Sequence, residues 1–554
     1  MDTSTTSTET PEDSNPLATR YIGRIFEISE SSPRFSLEVS KLEDPVGNVE
    51  VGAYTLVKYQ NIAVLGQITE LANIPGASFP QSGRLQLLAS INLESCELIP
   101  GISRIPSLGS NVFIASAGLI QQFFSPSTNN SKPSLYLANL GDESGPNLEF
   151  TPEMLFSRHC AVLGTTGGGK SHTVARLLEE TLKLRSKIIL IDATGEYAGF
   201  KSKHVKHVHV GNLEVDAHIS KQVAVPYYHL TEADLMGIFK PQGQSQGPKL
   251  RAAMKSLKLS ILVPSLSFEG NVIKMDKDRR FFDSEYARNI KAIDNPLAIF
   301  DISKLAQQIE NECVRPTRSA VEPFFWGGIN QIELAHCTPL VVRVNDIINS
   351  DEVSCIFNPG KLPSLLDEIE EFLSNPQHRM LRISLESLPF LYNTREVVSN
   401  AIGRQIMMLA RQGKFKKAPV VLFLDEAHQF LKEHLESGES SLNIDSLALI
   451  AKEGRKYGLS LCLSTQRPRD IPESILSQVG TFIVHRIANI TDRGIIESAS
   501  ATIEHGTLSI LPMLGPGMSI IMGAAVPFTL IAKIAMPDHI PESETPSLND
   551  LWRI

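Results

Sequence analysis

The chain has 554 residues, of which 42% are hydrophobic and 20% charged, and its net charge is −9. That balance describes an ordinary globular protein of roughly two to four domains. It excludes a disordered chain and a polycationic nucleic-acid coat, so any nucleic acid must be held in a locally basic groove or pore.

In chain order, residues 1–16 are acidic, rich in Ser and Thr and without an apolar signal core, and are expected to form a disordered leader. From 17 to 145, short apolar runs such as YIGRIFEI, RFSLEV, IAVLGQITEL, RLQLLASINL and NVFIAS alternate with turn residues. Strands at that spacing predict a small N-terminal β-barrel. From 149 the pattern becomes strand, glycine-rich turn, helix, strand. Continuous apolar strands ending at Asp192 and Asp425 are what a parallel sheet covered on both faces requires. The interval between them is too long for one crossover, and 226–415 has mostly helical spacing, so a helical insertion divides an α/β core into 149–225 and 416–535. The strand-like run 382–388 inside that insertion is a candidate for the sheet. Residues 536–554 are an extended polar tail ending in an apolar hook, Leu551 and Trp552. Six scattered cysteines contain no C-x-x-C pair, which is neither a zinc spacing nor a dense disulfide framework and points to a reducing cytoplasm. No run reaches the roughly 18 apolar residues of a membrane span.

Gly164, Thr165, Thr166, Gly167, Gly168, Gly169, Lys170 and Ser171 fit G-x-x-x-x-G-K-[ST], with an apolar strand before and a helical run after. Such a turn aims backbone N–H groups at phosphates from a helix N-terminus. Lys170 is expected on the β- and γ-phosphates of ATP and Ser171 on Mg²⁺, and His172, next on the helix, joins the nucleotide-binding candidates. The metal needs a carboxylate from another strand, and VVLFLDEAH supplies Asp425, followed by Glu426 to polarise water. By themselves Asp425 and Glu426 are equally a solvated strand end. Asp192 and Glu196 of DATGEY close the strand after the P-loop helix, either as further carboxylates of the site or as a plain turn around Gly195. Arg455 of EGRKYG is either a cation completing a helix C-terminus or a group aimed at phosphate.

The segments SRHCAVLGTTGGGKS, IDATGEY, FLDEAHQFL, KEGRKYGLSLCLSTQRP, HRIANITD and LPMLGPGMSIIMG together resemble the HerA family of hexameric ATPases, relatives of the FtsK DNA pumps, in order and spacing over nearly the whole chain. The resemblance implies an α/β fold: a RecA-like P-loop NTPase core with an N-terminal β-barrel, a mostly helical insertion and a C-terminal tail that braces a neighbour. It implies a cytoplasmic homo-hexamer with nucleotide between subunits, with Arg455 reaching the γ-phosphate held by the next subunit and Arg158 acting at the same junction. Gln466 is then a γ-phosphate sensor or water-orienting group. His485, Arg486, Asn489 and Asp492 match family positions without an assigned role, and His485 is equally a satisfied core histidine. The family threads double-stranded DNA through its central pore. Its barrel docks an effector, a nuclease or a sirtuin-like NAD-consuming enzyme, in DNA end processing or anti-phage defence. Basic runs at Lys201, Lys203 and Lys206, at Lys274, Lys277, Arg279 and Arg280, and at Lys414, Lys416 and Lys417 are candidate DNA contacts or solvated faces. Two functions follow: an ATP-driven DNA translocase or helicase working with an effector, or a nucleotide-gated scaffold that activates the effector. A secretion-type ATPase would call for membrane attachment, against which the lack of an apolar span argues.

Overall fold

The computed structural model describes residues 19–29, 32–38, 49–59, 61–73, 82–93, 98–99, 101–122, 133–212, 219–431, 435–437, 440–442, 446–500, 508–542 and 552. The expected leader and Leu551 of the tail hook lie outside the described residues. The chain divides into two compact units, Met1–Thr181 with Gly480–Asp538, and Leu182–Val479 with His539–Ile554.

The first unit contains a closed antiparallel barrel. Its strands run Ser32–Leu37, Thr19–Ser29, Asn111–Ala115, Tyr54–Tyr59, Ile62–Ala72 and Ser82–Asn92, and the last pairs back onto the first, with the short Leu98–Ile99 strand appended. Alternation along Ser82–Asn92 sends Leu85 and Leu87 inward, where they join Ile22, Ile25, Phe35, Val57, Val64 and Ile114 in a closed core. Closure depends on Gly83, where a Cβ would lie 2.5 Å from the Phe35 ring. The barrel ends sooner than the expected boundary at 145. Leu135–Leu140 pairs instead with Leu530–Ile534 and Asn147–Phe150. Leu135, Leu137, Ala138 and Leu140 are all buried, which takes more cover than the single inner face of a barrel strand provides. The sheet they join continues through Met518–Gly523 and Thr481–Val484 to Cys160–Leu163, the strand before the glycine-rich loop.

The second unit holds a parallel sheet in the order Lys221–Val223, Val205–Val210, Met380–Ser384, Lys187–Asp192, Val420–Leu424 and Leu459–Thr465. The strand-like run of the insertion does belong to the sheet, as Met380–Ser384, buried throughout between two neighbours. Among the helices, Gly243–Leu262 and Arg279–Ile293 enclose a small core of Leu259, Val272, Phe282, Ile293 and Trp326. Lys274 is buried there against Glu312 at 2.5 Å, and Arg279 and Arg280 pair with Asp283 and Asp278. Three of the four cations of this basic run therefore have local partners. Lys206 is likewise held by Glu368 and Glu371.

Phe35→Ala is expected to cost the barrel about 3–5 kcal/mol. The loss should appear as an earlier first transition in thermal unfolding of the full chain; an unmoved transition would show that the ring does not hold the barrel closed.

Candidate nucleotide site

In the first unit, the fully buried Cys160–Leu163 strand delivers the chain into the glycine-rich loop, and the Lys170–Lys183 helix leaves it. Gly167 and Gly169 have φ of 75° and 109°, open without strain only to glycine. A Cβ at Gly164 would stand 2.6 Å from His485 Cβ, and one at Gly169 would stand 3.0 Å from Gly517 Cα. The loop is therefore a cradle that side chains would fill. Thr166 and Gly167 are exposed at its rim, while Gly168 and Lys170 are buried and Thr165, Ser171 and His172 half-buried. A helix N-terminus preceded by this turn suits the phosphates of a nucleotide, with Lys170 and Ser171 opening the helix.

His485 supports the loop from below. Its N–H donates to the Leu163 carbonyl at 2.7 Å, its Nδ1 lies 2.9 Å from the Met518 carbonyl and its Nε2 lies 2.7 Å from the Thr173 hydroxyl. Neighbouring bonds run from Gly517 N–H to the Gly168 carbonyl at 3.1 Å and from Thr165 N–H to the Arg486 carbonyl at 3.1 Å. Burial pushes the imidazole down to about 4; the Lys170 and His172 charges push the same way, against the bond to Met518.

The second unit carries the carboxylates. Asp425 follows the Val420–Leu424 strand, is 1% exposed and donates its N–H to the Ile191 carbonyl at 3.1 Å. Glu426, with φ of 47°, turns the chain sharply in the left-handed region, a conformation that costs a non-glycine residue about 1–3 kcal/mol and is retained mostly at functional sites. Gln466 Nε2 donates to Glu426 Oε1 at 2.7 Å. His428 Nδ1 lies 3.2 Å from Glu426 Oε2 and 3.1 Å from Thr465 Oγ1. The buried Tyr197 hydroxyl is pushed well above its ordinary range, first by burial and then by the charges of Asp425, Glu196, Asp192 and Glu426.

Of the two readings of Asp192, the turn prevails. Its Oδ1 accepts from Gly195 N–H at 2.9 Å, and its Oδ2 accepts from Tyr197 N–H at 3.2 Å and from Arg382 Nε at 2.7 Å. Arg382 was not anticipated; a lone arginine in the apolar run RISLESL is the signal that could have found it. Arg395 was missed as well: it braces the same edge by donating to the Ala193 and Leu388 carbonyls and to Gln429.

Arg455 sits in the turn Gly454–Tyr457 after the Ser446–Glu453 helix. The two flanking glycines have separate causes. A Cβ at Gly454 would lie 2.8 Å from the Leu459 carbonyl, and Gly458, with φ of 80°, packs against the Phe415 carbonyl. Glu453 is taken by Arg411 at 3.0 Å, and among the described residues Arg455 is exposed with no ion pair. Arg158 is also exposed; its carbonyl accepts from Gly480 N–H at 2.6 Å.

The strand, glycine loop and helix, with a parallel sheet ending in Asp-Glu, define a P-loop NTPase with a RecA-like core. Two family models match the chain: the central domain of helicase HerA over residues 136–289 and the HerA-like C-terminal domain over 400–521. The chain belongs to the HerA family and is an ATPase of the helicase and translocase type. It is 23% identical to a probable helicase of Methanocaldococcus jannaschii, over 94% of this chain and 88% of that protein. It is 22% identical to the DNA double-strand break repair helicase HerA of Sulfolobus acidocaldarius, over 91% and 92%. Among solved structures, the bacterial conjugative coupling protein TrwB is similar with a TM-score of 0.43 and 14% identity, over 76% of this chain and 92% of that one.

A histidine in the unfolded chain titrates near 6.5, whereas His485 in the fold stays neutral down to about 4. The stability it contributes is complete above about 6.5 and is lost as pH falls from there through 4. The thermal midpoint should therefore drop across that window, and the slope should be shallower in His485→Gln; equal slopes would show that the buried imidazole titrates normally.

Proposed function

We propose that this chain forms a homo-hexameric ring that hydrolyses Mg-ATP to move double-stranded DNA through its central pore, in the cytoplasm and in the service of an effector enzyme docked on the barrel. The carrying observation is a complete glycine cradle, closed to side chains at Gly164 and Gly169, in a chain that also ends a parallel-sheet strand in buried Asp425 and Glu426. In this reading the backbone of 164–169 and Lys170 bind the phosphates, with His172 beside them. Ser171 and Asp425 would hold Mg²⁺, which would supply positive charge beside the phosphate oxygens. Glu426 takes a proton from the attacking water as its oxygen bonds to the γ-phosphorus and the bond to ADP breaks. Gln466 holds Glu426 and orients that water. The exposed Arg455, without an ion pair among the described residues, reaches the γ-phosphate of the adjoining subunit, with Arg158 at the same junction.

The DNA assignment is supported by relatives named as DNA double-strand break repair helicases. No helix among the described residues is long and apolar enough to cross a membrane. An effector, whether a nuclease or a sirtuin-like NAD-consuming enzyme, would dock where the barrel loop exposes Ile102, Ile105 and Leu108, with anti-phage defence or DNA end processing as the setting. The same loop favours a second reading, a nucleotide-gated scaffold. Glu426→Gln separates the two: a motor's effector falls silent, while a scaffold that needs only bound ATP keeps its effector active.

Two experiments test the first reading. ATP turnover by the purified chain should rise with linear double-stranded DNA and lose that stimulation at high salt, because the grip is on phosphates; stimulation indifferent to DNA would remove the track. Arg455→Ala should bind ATP yet hydrolyse more slowly by about 1,000-fold or more, as for other arginine fingers. Mixing it with Lys170→Ala should restore turnover at mixed junctions; wild-type turnover by Arg455→Ala alone would end the finger assignment.

A further inference from the structure

Three glycines of the phosphate loop rest on one side chain. A Cβ at Gly164 or Gly168 would meet His485 Cβ at 2.6 or 3.4 Å, and one at Gly169 would lie 3.3 Å from Cε1 of the ring. The imidazole is fully buried, so its two nitrogens must both be satisfied by protein. The Met518 carbonyl, 2.9 Å from Nδ1, can only accept, so Nδ1 carries the proton. Nε2 of the neutral ring then accepts, and the Thr173 hydroxyl at 2.7 Å donates to it rather than to the Gly169 carbonyl at 3.1 Å. Thr173 lies in the first turn of the P-loop helix, and its N–H donates to the Gly169 carbonyl at 3.0 Å. Met518 follows Gly517, whose N–H holds the Gly168 carbonyl. Each partner of the ring thus belongs to the loop, to the helix that leaves it or to the turn that abuts it. An apolar residue of equal bulk would fill the space but leave the Thr173 hydroxyl only the longer bond to the Gly169 carbonyl, with no tie to residue 485.

We propose that His485 is the positioning residue of the phosphate loop: bridging Thr173 and Met518, it holds residues 164–169 in the curvature that receives ATP, so nucleotide affinity depends on it and not stability alone. The proposal rests on the P-loop reading above. Among the described residues the His485 to Thr173 bond ties the ring to the helix bearing Lys170 and Ser171, so that bond is the one to break.

The test is calorimetric titration of Mg-ATPγS into the full chain, with thermal unfolding followed in parallel. His485→Asn keeps a donor for Met518 but is too short to accept from Thr173. Thr173→Val removes the hydroxyl at nearly constant volume. Each should weaken binding by about tenfold, the worth of one buried hydrogen bond. The double variant should bind no more weakly than His485→Asn, since both remove the same bond. Wild-type affinity in both single variants, with only a lowered melting temperature, would make His485 a core histidine and overturn the proposal; so would a fully additive loss in the double variant. If His485→Asn fails to fold, Thr173→Val decides alone. Lys170→Ala separates the two layers of the argument. If it binds normally, the P-loop reading itself fails; if it loses binding while the other two keep it, only the role of His485 is lost.

Discussion

A nucleotide carries its charge on oxygens that need several donors at once, and backbone N–H groups supply them only where no side chain intrudes. The rest of the first unit is arranged around that exclusion of volume. Cys160–Leu163 is buried because it must be rigid, and Gly164 has no Cβ because His485 occupies the space. The turn bearing Gly517 approaches Gly169 so closely that a Cβ there would stand 3.0 Å from Gly517 Cα. A loop cut so close tolerates little error in its surroundings, which is why a neutral histidine with both nitrogens in use stands beneath it.

The second unit meets a different problem, that of holding and orienting carboxylates that are nearly buried. Asp192 is paired with Arg382 and accepts from the turn it closes, so it stabilises the sheet edge. Breaking such a pair strands a buried charge, whereas keeping it whole fixes the register of Lys187–Asp192 against Met380–Ser384. Glu426 is treated otherwise. It takes a strained backbone and is held by the Gln466 amide on one oxygen and by His428 on the other. The contrast between the two acids follows from partner chemistry, and it separates a structural carboxylate from a candidate base.

The glycine loop, Lys170, Ser171 and the Asp425–Glu426 pair were legible because their chemistry is written in consecutive residues flanked by a strand and a helix. The parallel sheet and the helical insertion were legible from period and length. The barrel was legible as a set of strands but not in its limit, because LYLANL has the same pattern whether it joins a barrel or another sheet; only its depth of burial decides.

What the sequence alone determined is therefore the family and the ATPase class, since each depends on local order that every fold of this chain must present. Tertiary structure decided what the remaining polar residues do. Arg382 and Asp192 are 190 positions apart, Thr173 and His485 are 312, and Met518 and His485 are 33. Nothing in a short window announces such partners, because a buried hydrogen bond is chosen by proximity in space, and proximity is settled only once the strands have paired.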